Sequence, residues 1–194
     1  SLDLFSKNAK LMFYSSSYVY SGESLDRVVG ERDKLEPLHS FGVGKKFFEQ
    51  YILRLFPNTV IFRLSSVFGE GEARSPNAIK NIVEESVESE IVEVWGSGNR
   101  KMQYISVDDV VLALYNLVDY SGDSNVFNIG SGTGVSLQDI VKLSEEITGE
   151  KIQISYDNSI VKSSFYLDIT KASDAINFIP TEFKKSLSDF WHSI

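Results

Sequence analysis

The chain has 194 residues, 19 lysines and arginines against 27 aspartates and glutamates, a formal charge of −8 and no cysteine. At 42% hydrophobic and 12% aromatic it has a globular composition, long enough for one domain or two small ones. The missing cysteine excludes disulfides and thiolate metal sites, His39 and His192 are too few for a histidine-rich metal centre, and the acidic balance argues against nucleic-acid phosphates as the main ligand.

In chain order, Ser1–Lys7 is mixed and charged, unlike a secretory apolar core. Lys10 to Ser17 reads as a buried strand because Leu11, Met12, Phe13 and Tyr14 form a continuous apolar run. A polar loop is expected from Ser21 to Leu38, closed by Pro37. Phe41 to Leu55 has helical spacing, with Phe47, Phe48, Tyr51, Ile52 and Leu55 on one side. Pro57-Asn58 turns the chain into a β-branched strand, Thr59 to Leu64. Strand, helix and strand in this order predict a parallel βαβ unit covered on both faces.

The loop from Gly69 to Asn77 is the best candidate for a domain boundary. Beyond it the pattern predicts a helix from Ala78 to Val87, strands at Ile91–Trp95 and Tyr104–Ile105, and a helix to about Tyr120 with Asp108 and Asp109 in its first turn, where acids suit the helix dipole. The longest apolar run, Val110 to Tyr115, is far shorter than the roughly 20 residues of a membrane span. Neither a membrane nor a secretory route is expected, so the cytoplasm is the expected compartment. Val126–Ile129 reads as a strand, followed by Gly130-Ser131-Gly132-Thr133-Gly134. Ser136 is placed to cap a helix from Leu137 to Thr148, which Gly149 ends. A strand from Lys151 to Tyr156 and a closing helix after Pro180 complete the α/β order.

Three segments have the form that chemistry needs, and each also has a plain structural reading. The glycine cluster at Gly130–Gly134 follows a strand and opens towards a helix, the setting in which backbone N–H groups cradle phosphate. Its spacing is G-x-G-x-G, without the third glycine of a dinucleotide site, and a tight turn explains it equally well. Ser15-Ser16-Ser17 follows a strand and could be a solvated strand end. Arg63 to Gly71 is a strand exit, the part of an open α/β sheet where ligands bind.

Taken together, Ser15 to Tyr20, Phe41 to Lys45, Arg63 to Gly71, Gly96 to Arg100, Val107 to Val110, Phe127 to Gly132, and Leu167 to Ala172 with Pro180 match an ordered set of motifs. The set resembles the extended short-chain dehydrogenase/reductase family, the NAD-dependent nucleotide-sugar epimerases, dehydratases and reductases. The resemblance implies the C-terminal part of a Rossmann-like doubly wound parallel sheet plus a small α/β substrate-binding domain. Residues 1–75 would form a partial dinucleotide-binding region and 76–194 the substrate region, with the helix near 107–120 and the strand near 126–129 packing back on the first part.

The resemblance also implies roles. Ser16 would hydrogen-bond the reacting sugar oxygen, and Lys45 would serve catalysis and hold the cofactor ribose together with Ser66. Arg63, Asn77 and Arg100 would face a nucleotide sugar; no metal is implied. Two departures stand out. Phe41 occupies the position of the family's tyrosine acid/base, and phenylalanine has no proton to exchange. The family's glycine-rich βαβ unit, which grips NAD or NADP, has no counterpart here. The family's phosphate-binding arginine falls on Met102, two residues after Arg100. The expectation is therefore a truncated or degenerate enzyme, inactive by itself and binding no dinucleotide tightly. The alternatives are a non-catalytic binding protein or one half of a split enzyme completed by another chain. Loss of the first sheet half would bare an apolar strand edge, so a homo-oligomer or a complementing chain is expected.

Overall fold

The structure, a computed structural model, describes residues 9–20, 27–71, 77–88, 91–123, 125–157 and 165–194. Expectations for Ser1–Lys7, for the start of the Ser21–Leu38 loop and for much of the Gly69–Asn77 loop lie outside the described residues. In chain order the elements are β1 Leu11–Ser16, a 3-10 turn Ser17–Tyr20, β2 Arg27–Val29, α1 Ser40–Leu55, β3 Thr59–Leu64, β4 Ser66–Phe68, α2 Ala78–Glu88, β5 Ile91–Trp95, β6 Lys101–Met102 and β7 Tyr104–Ser106. They continue with α3 Val107–Val118, β8 Val126–Ile129, β9 Val135–Ser136, α4 Leu137–Thr148, β10 Gln153–Asp157, β11 Phe165–Leu167, α5 Thr170–Ile176 and α6 Phe183–Trp191.

The principal sheet is parallel, in the order β1-β3-β8. Phe13 is opposite Ile61 and Ser15 opposite Arg63 on one side of β3, and Arg63 is opposite Asn128 on the other. Thr59 to Arg63 are all buried, which suits the apolar, β-branched run of a strand covered on both faces. β1 is different. Among the described residues it is an edge strand, half-buried for most of its length, with Tyr14 44% exposed. All three strands end on the same side, at Ser16, Leu64 and Ile129, because parallel strands share their carboxyl ends. The fold class is thus α/β with parallel pairing.

Two larger hydrophobic clusters flank the connections. One joins β3 and β8 to α3 and α5 through Val60, Phe62, Val110, Leu117, Phe127 and Ile176. The second joins α2, β5, α4 and α6 through Ile79, Ile82, Val94, Ile140, Leu187 and Phe190. A small third cluster gathers Val19, Tyr20, Val29 and Leu167 under the serine turn.

The helix caps follow their local sequence. Ser106 Oγ accepts the N–H of Asp109 at 3.1 Å, and Asp109 accepts from the N–H and hydroxyl of Thr181. Ser136 and Asp139 form a reciprocal capping box at the start of α4, and Gly149 ends it in the left-handed region at φ 75°.

The structure corrects the expectation at several points. The Ser21–Leu38 segment holds β2, which pairs in parallel with β11, so it is not loop throughout. β4, β6, β9, β11 and α5 are also additional; the strands among them have two or three residues each, too short for a periodic signal. α1 forms as expected, and Phe47, Phe48, Tyr51 and Leu55 on its apolar side are at least 40% exposed, whereas Glu49 on the other side is buried against the Arg63 guanidinium. Among the described residues no helix is long and apolar enough to cross a membrane, and no group of three or more His, Cys, Asp or Glu could hold a metal ion.

Candidate functional site

β1 ends in Ser15 and Ser16, and the 3-10 turn follows at once, so the chain doubles back at the carboxyl end of the sheet. The Tyr18 N–H donates to Ser16 Oγ at 3.2 Å, which fixes that hydroxyl over the turn. α1 starts directly against the turn. Its third residue is Gly42, where a Cβ would lie 2.9 Å from Pro37 Cβ and 3.0 Å from the Tyr18 carbonyl carbon. Only hydrogen lets helix and turn approach this closely. The approach places Phe41 edge-on to Tyr18, with ring centroids 6.1 Å apart, and His39 packs on the same Tyr18 ring at 6.2 Å.

Lys45 lies one turn further along α1. Its Nζ donates to the Tyr14 carbonyl at 2.6 Å and stands 5.1 Å from the Phe13 ring and 5.6 Å from the Phe41 ring. Burial holds its ammonium below the ordinary lysine range. Ser16, Phe41 and Lys45 are therefore brought to one place, at the carboxyl end of β1 and the amino end of α1.

Burial pushes the Tyr104 hydroxyl up to about 12; the charge of Arg100 pulls against that and Tyr18 adds to it. Met102 presents its sulfur to the Tyr104 hydroxyl at 3.8 Å. Ser66 belongs to β4, with its N–H on the Gln103 carbonyl. Asn77 caps α2: its Oδ1 accepts the Lys80 N–H at 3.0 Å and its Nδ2 donates to the Val67 carbonyl. The structure gives Asn77 a structural duty beside any ligand duty.

Arg63 is not in the expected place. Its side chain is interior, 6% exposed, and pairs with Glu49 through Nη2–Oε2 at 2.7 Å and Nε–Oε1 at 3.0 Å. Its Nη1 donates to the Tyr20 hydroxyl at 2.6 Å and to the Glu31 carbonyl at 3.1 Å. Burial opposes the guanidinium charge, but the bonds to Glu49 and Tyr20 outweigh it and hold Arg63 above the ordinary arginine value. The Tyr20 hydroxyl donates in turn to Asn128 Oδ1 at 2.9 Å. A guanidinium with its fork used in this way does not face a substrate.

Sequence reasoning passed over Tyr18, His39 and Glu49. Tyr18 and His39 flank motif positions and could have been flagged as polar aromatics beside them. Glu49 carried a signal too, an acid one turn after Lys45 on the helix that precedes the strand bearing Arg63. The hydroxyls of Ser15 and Ser65, at the carboxyl ends of β1 and β3, are buried without a hydrogen-bond partner among the described residues. Buried polar groups of that kind sit where ligands or water are met.

The likeness to known proteins runs through this same stretch. The model of the NAD dependent epimerase/dehydratase family matches residues 3–130. The dTDP-4-dehydro-6-deoxyglucose reductase of Escherichia coli is 28% identical over 180 residues, covering 89% of this chain and 57% of the reductase. Among solved structures, MoeE5 with UDP-glucuronic acid and NAD superposes with a TM-score of 0.83 at 27% identity, covering 94% of this chain and 64% of MoeE5. The UDP-glucose 4-epimerase of Thermotoga maritima, solved with UDP-glucose, does so at 0.80 and 26% identity, covering 94% and 62%. The chain thus spans little more than half the length of the curated reductase. With two thirds of its residues matched, and with the serine turn and the lysine helix meeting at the sheet's carboxyl end, the chain belongs to the NAD dependent epimerase/dehydratase family.

Proposed function

We propose that this chain carries the catalytic helix and the sugar-nucleotide side of an NAD-dependent nucleotide-sugar epimerase, dehydratase or reductase, degenerate at Phe41, and that this stretch does not turn over by itself. Residues 1–75 would be the partial dinucleotide-binding region and 76–194 the substrate region. The observation that carries the reading is the meeting of Ser16 and Lys45 around Phe41. Ser16 Oγ is positioned to accept or donate to a sugar hydroxyl beyond the turn. The Lys45 ammonium donates to the Tyr14 carbonyl and is half-exposed, which suits a ribose hydroxyl, with Ser66 at the next strand exit. NAD or NADP, when bound, would supply the hydride acceptor. Nothing at Phe41 can take the hydroxyl proton that must leave with the hydride, and a general acid/base contributes typically about 10²–10⁴-fold. On the nucleotide side Arg100 is the candidate phosphate ligand and Asn77 a neighbouring contact, whereas Met102 cannot hold an anion.

Calorimetry of the purified chain tests the reading with UDP- and dTDP-sugars in one series and NAD⁺ in another. The expected result is measurable nucleotide-sugar binding that weakens in Arg100→Ala, without a micromolar NAD⁺ constant. No heat with any nucleotide sugar would overturn the substrate assignment, and tight NAD⁺ binding would overturn the expectation that this stretch by itself has no dinucleotide cradle. Phe41→Tyr is expected to restore no NAD-dependent turnover to the isolated chain, because it returns the proton carrier alone.

A second reading, a binding protein or one half of a split enzyme, is favoured by a specific surface. The exposed rings of Phe47, Phe48 and Tyr51 on α1 lie beside the edge strand β1. An unpaired strand edge is a template for another chain. The partner would be a second copy or a complementing chain.

A further inference from the structure

The rotation of a surface helix is ordinarily set by its apolar stripe, which turns to the core. α1 does not follow this. Its aromatic stripe, Phe47, Phe48 and Tyr51, is half-exposed, and the residues it buries are Gly42 and Glu49. Apolar contact is partial, with Ile52 half-buried and Phe48 against Phe13, and the most directional contact the helix makes is the buried ion pair with Arg63. That contact is a two-point fork, Nη2 to Oε2 and Nε to Oε1, with side-chain exposures of 6% for Arg63 and 2% for Glu49. Planar bidentate geometry fixes orientation as well as distance.

Glu49 is four residues after Lys45, and residues at that spacing share a helix face. Fixing Glu49 therefore fixes where Lys45 can reach. The same guanidinium also reaches the other half of the site. Nη1 holds the Tyr20 hydroxyl at 2.6 Å, and Tyr20 ends the turn that follows Ser16 and carries Tyr18. Arg63 itself stands in register with Ser15 on β3. One buried side chain thus bonds the lysine helix by one edge and the serine turn by the other.

We propose that Arg63 is a positioning residue: through Glu49 and Tyr20 it holds Lys45 and Ser16 in one constellation at the carboxyl end of the sheet. The functional meaning of that constellation rests on the reading given above, but the placement of Lys45 can be measured without any turnover. Lys45 lies against the rings of Phe13 and Phe41, so its ε-methylene protons carry a ring-current shift that a solvated lysine lacks.

The test is a proton–carbon correlation spectrum of the whole chain, with the Lys45 signal assigned from Lys45→Arg. Glu49→Gln keeps the shape of the side chain and removes its charge. The expected result is loss of the Lys45 shift, its signal joining those of exposed Lys34 and Lys142, while the methyl signals of core Leu117 and Ile129 stay in place. A merely structural loss of stability would not move Lys45 alone in a chain whose core signals are intact. Arg63→Lys retains the charge without the fork and serves if Glu49→Gln does not fold; the same loss is expected. Glu49→Asp, which keeps the carboxylate, is expected to recover part of the shift. A folded Glu49→Gln or Arg63→Lys chain with the Lys45 signal unmoved overturns the proposal. Nucleotide-sugar calorimetry on the unmodified chain is read separately. Its failure would sink the functional reading and leave the positioning result standing.

Discussion

Two glycines on the first turns of α1 make opposite predictions from the same substitution. At Gly42 an added Cβ would stand 2.9 Å from Pro37 Cβ, 3.0 Å from the Tyr18 carbonyl carbon and closer still to its oxygen. Non-bonded carbons settle at about 3.5–4.0 Å, so the methyl intrudes by about 0.5–1 Å. Overpacking costs about 1–3 kcal/mol, and the upper end applies because the Tyr18 atoms are backbone and cannot rotate away. Alanine returns about 1 kcal/mol of helix propensity, leaving Gly42→Ala destabilised by about 2 kcal/mol. At Gly44 a Cβ would meet nothing within 4 Å, so only the propensity gain of about 1 kcal/mol remains. The gap of about 3 kcal/mol corresponds to about 6–12 °C in melting temperature for a chain of this size. Thermal and urea unfolding followed by circular dichroism would measure both variants beside the parent. Gly42→Ala should melt below the parent and Gly44→Ala above it. If both variants gain stability, the close seat of α1 on the serine turn is wrong, and with it the geometry that joins Ser16 to Lys45.

Burial pushes both the Tyr20 and the Tyr104 hydroxyls up to about 12 from an ordinary value of 10.0. The folded chain keeps these protons longer than the unfolded chain, so their contribution is complete below pH 10 and falls as pH rises towards 12. The loss is about 3 kcal/mol per tyrosine at the top of that window, and Tyr20→Phe should flatten the alkaline limb of a stability-against-pH curve. Ser136→Ala removes the capping box of α4 and should cost about 1 kcal/mol in urea unfolding at neutral pH. Its partner Asp139 is held below the ordinary carboxylate value by the Ser136 side chain and N–H, a contribution present above that value and lost as pH falls, so the penalty should shrink in acid. Light scattering after gel filtration should find an assembly heavier than 21.8 kDa, shifted towards monomer by Phe47→Ser with Tyr51→Ser; a stable monomeric parent would refute the interface reading.

Much of the local order was legible in the residues themselves. The apolar run of Thr59–Leu64, the serine and glycine that bracket α4, and the acids opening α3 each act within one turn or one strand, so neighbours in sequence suffice to specify them. The motif order likewise pointed to the family. What the tertiary structure alone decided were matters of pairing and rotation. β2, β4, β6, β9 and β11 exist only because a distant strand offers hydrogen bonds, and no periodicity can appear in so few residues. α1 shows this most plainly. Its sequence carries a clear apolar face, yet that face is outward, because Arg63 in the interior needs a carboxylate and Glu49 is the one that α1 turns towards it. The need of a desolvated charge for its counter-ion cannot be seen in the helix sequence, and it is this need that moved Arg63 from the expected substrate contacts to the framework beneath Lys45.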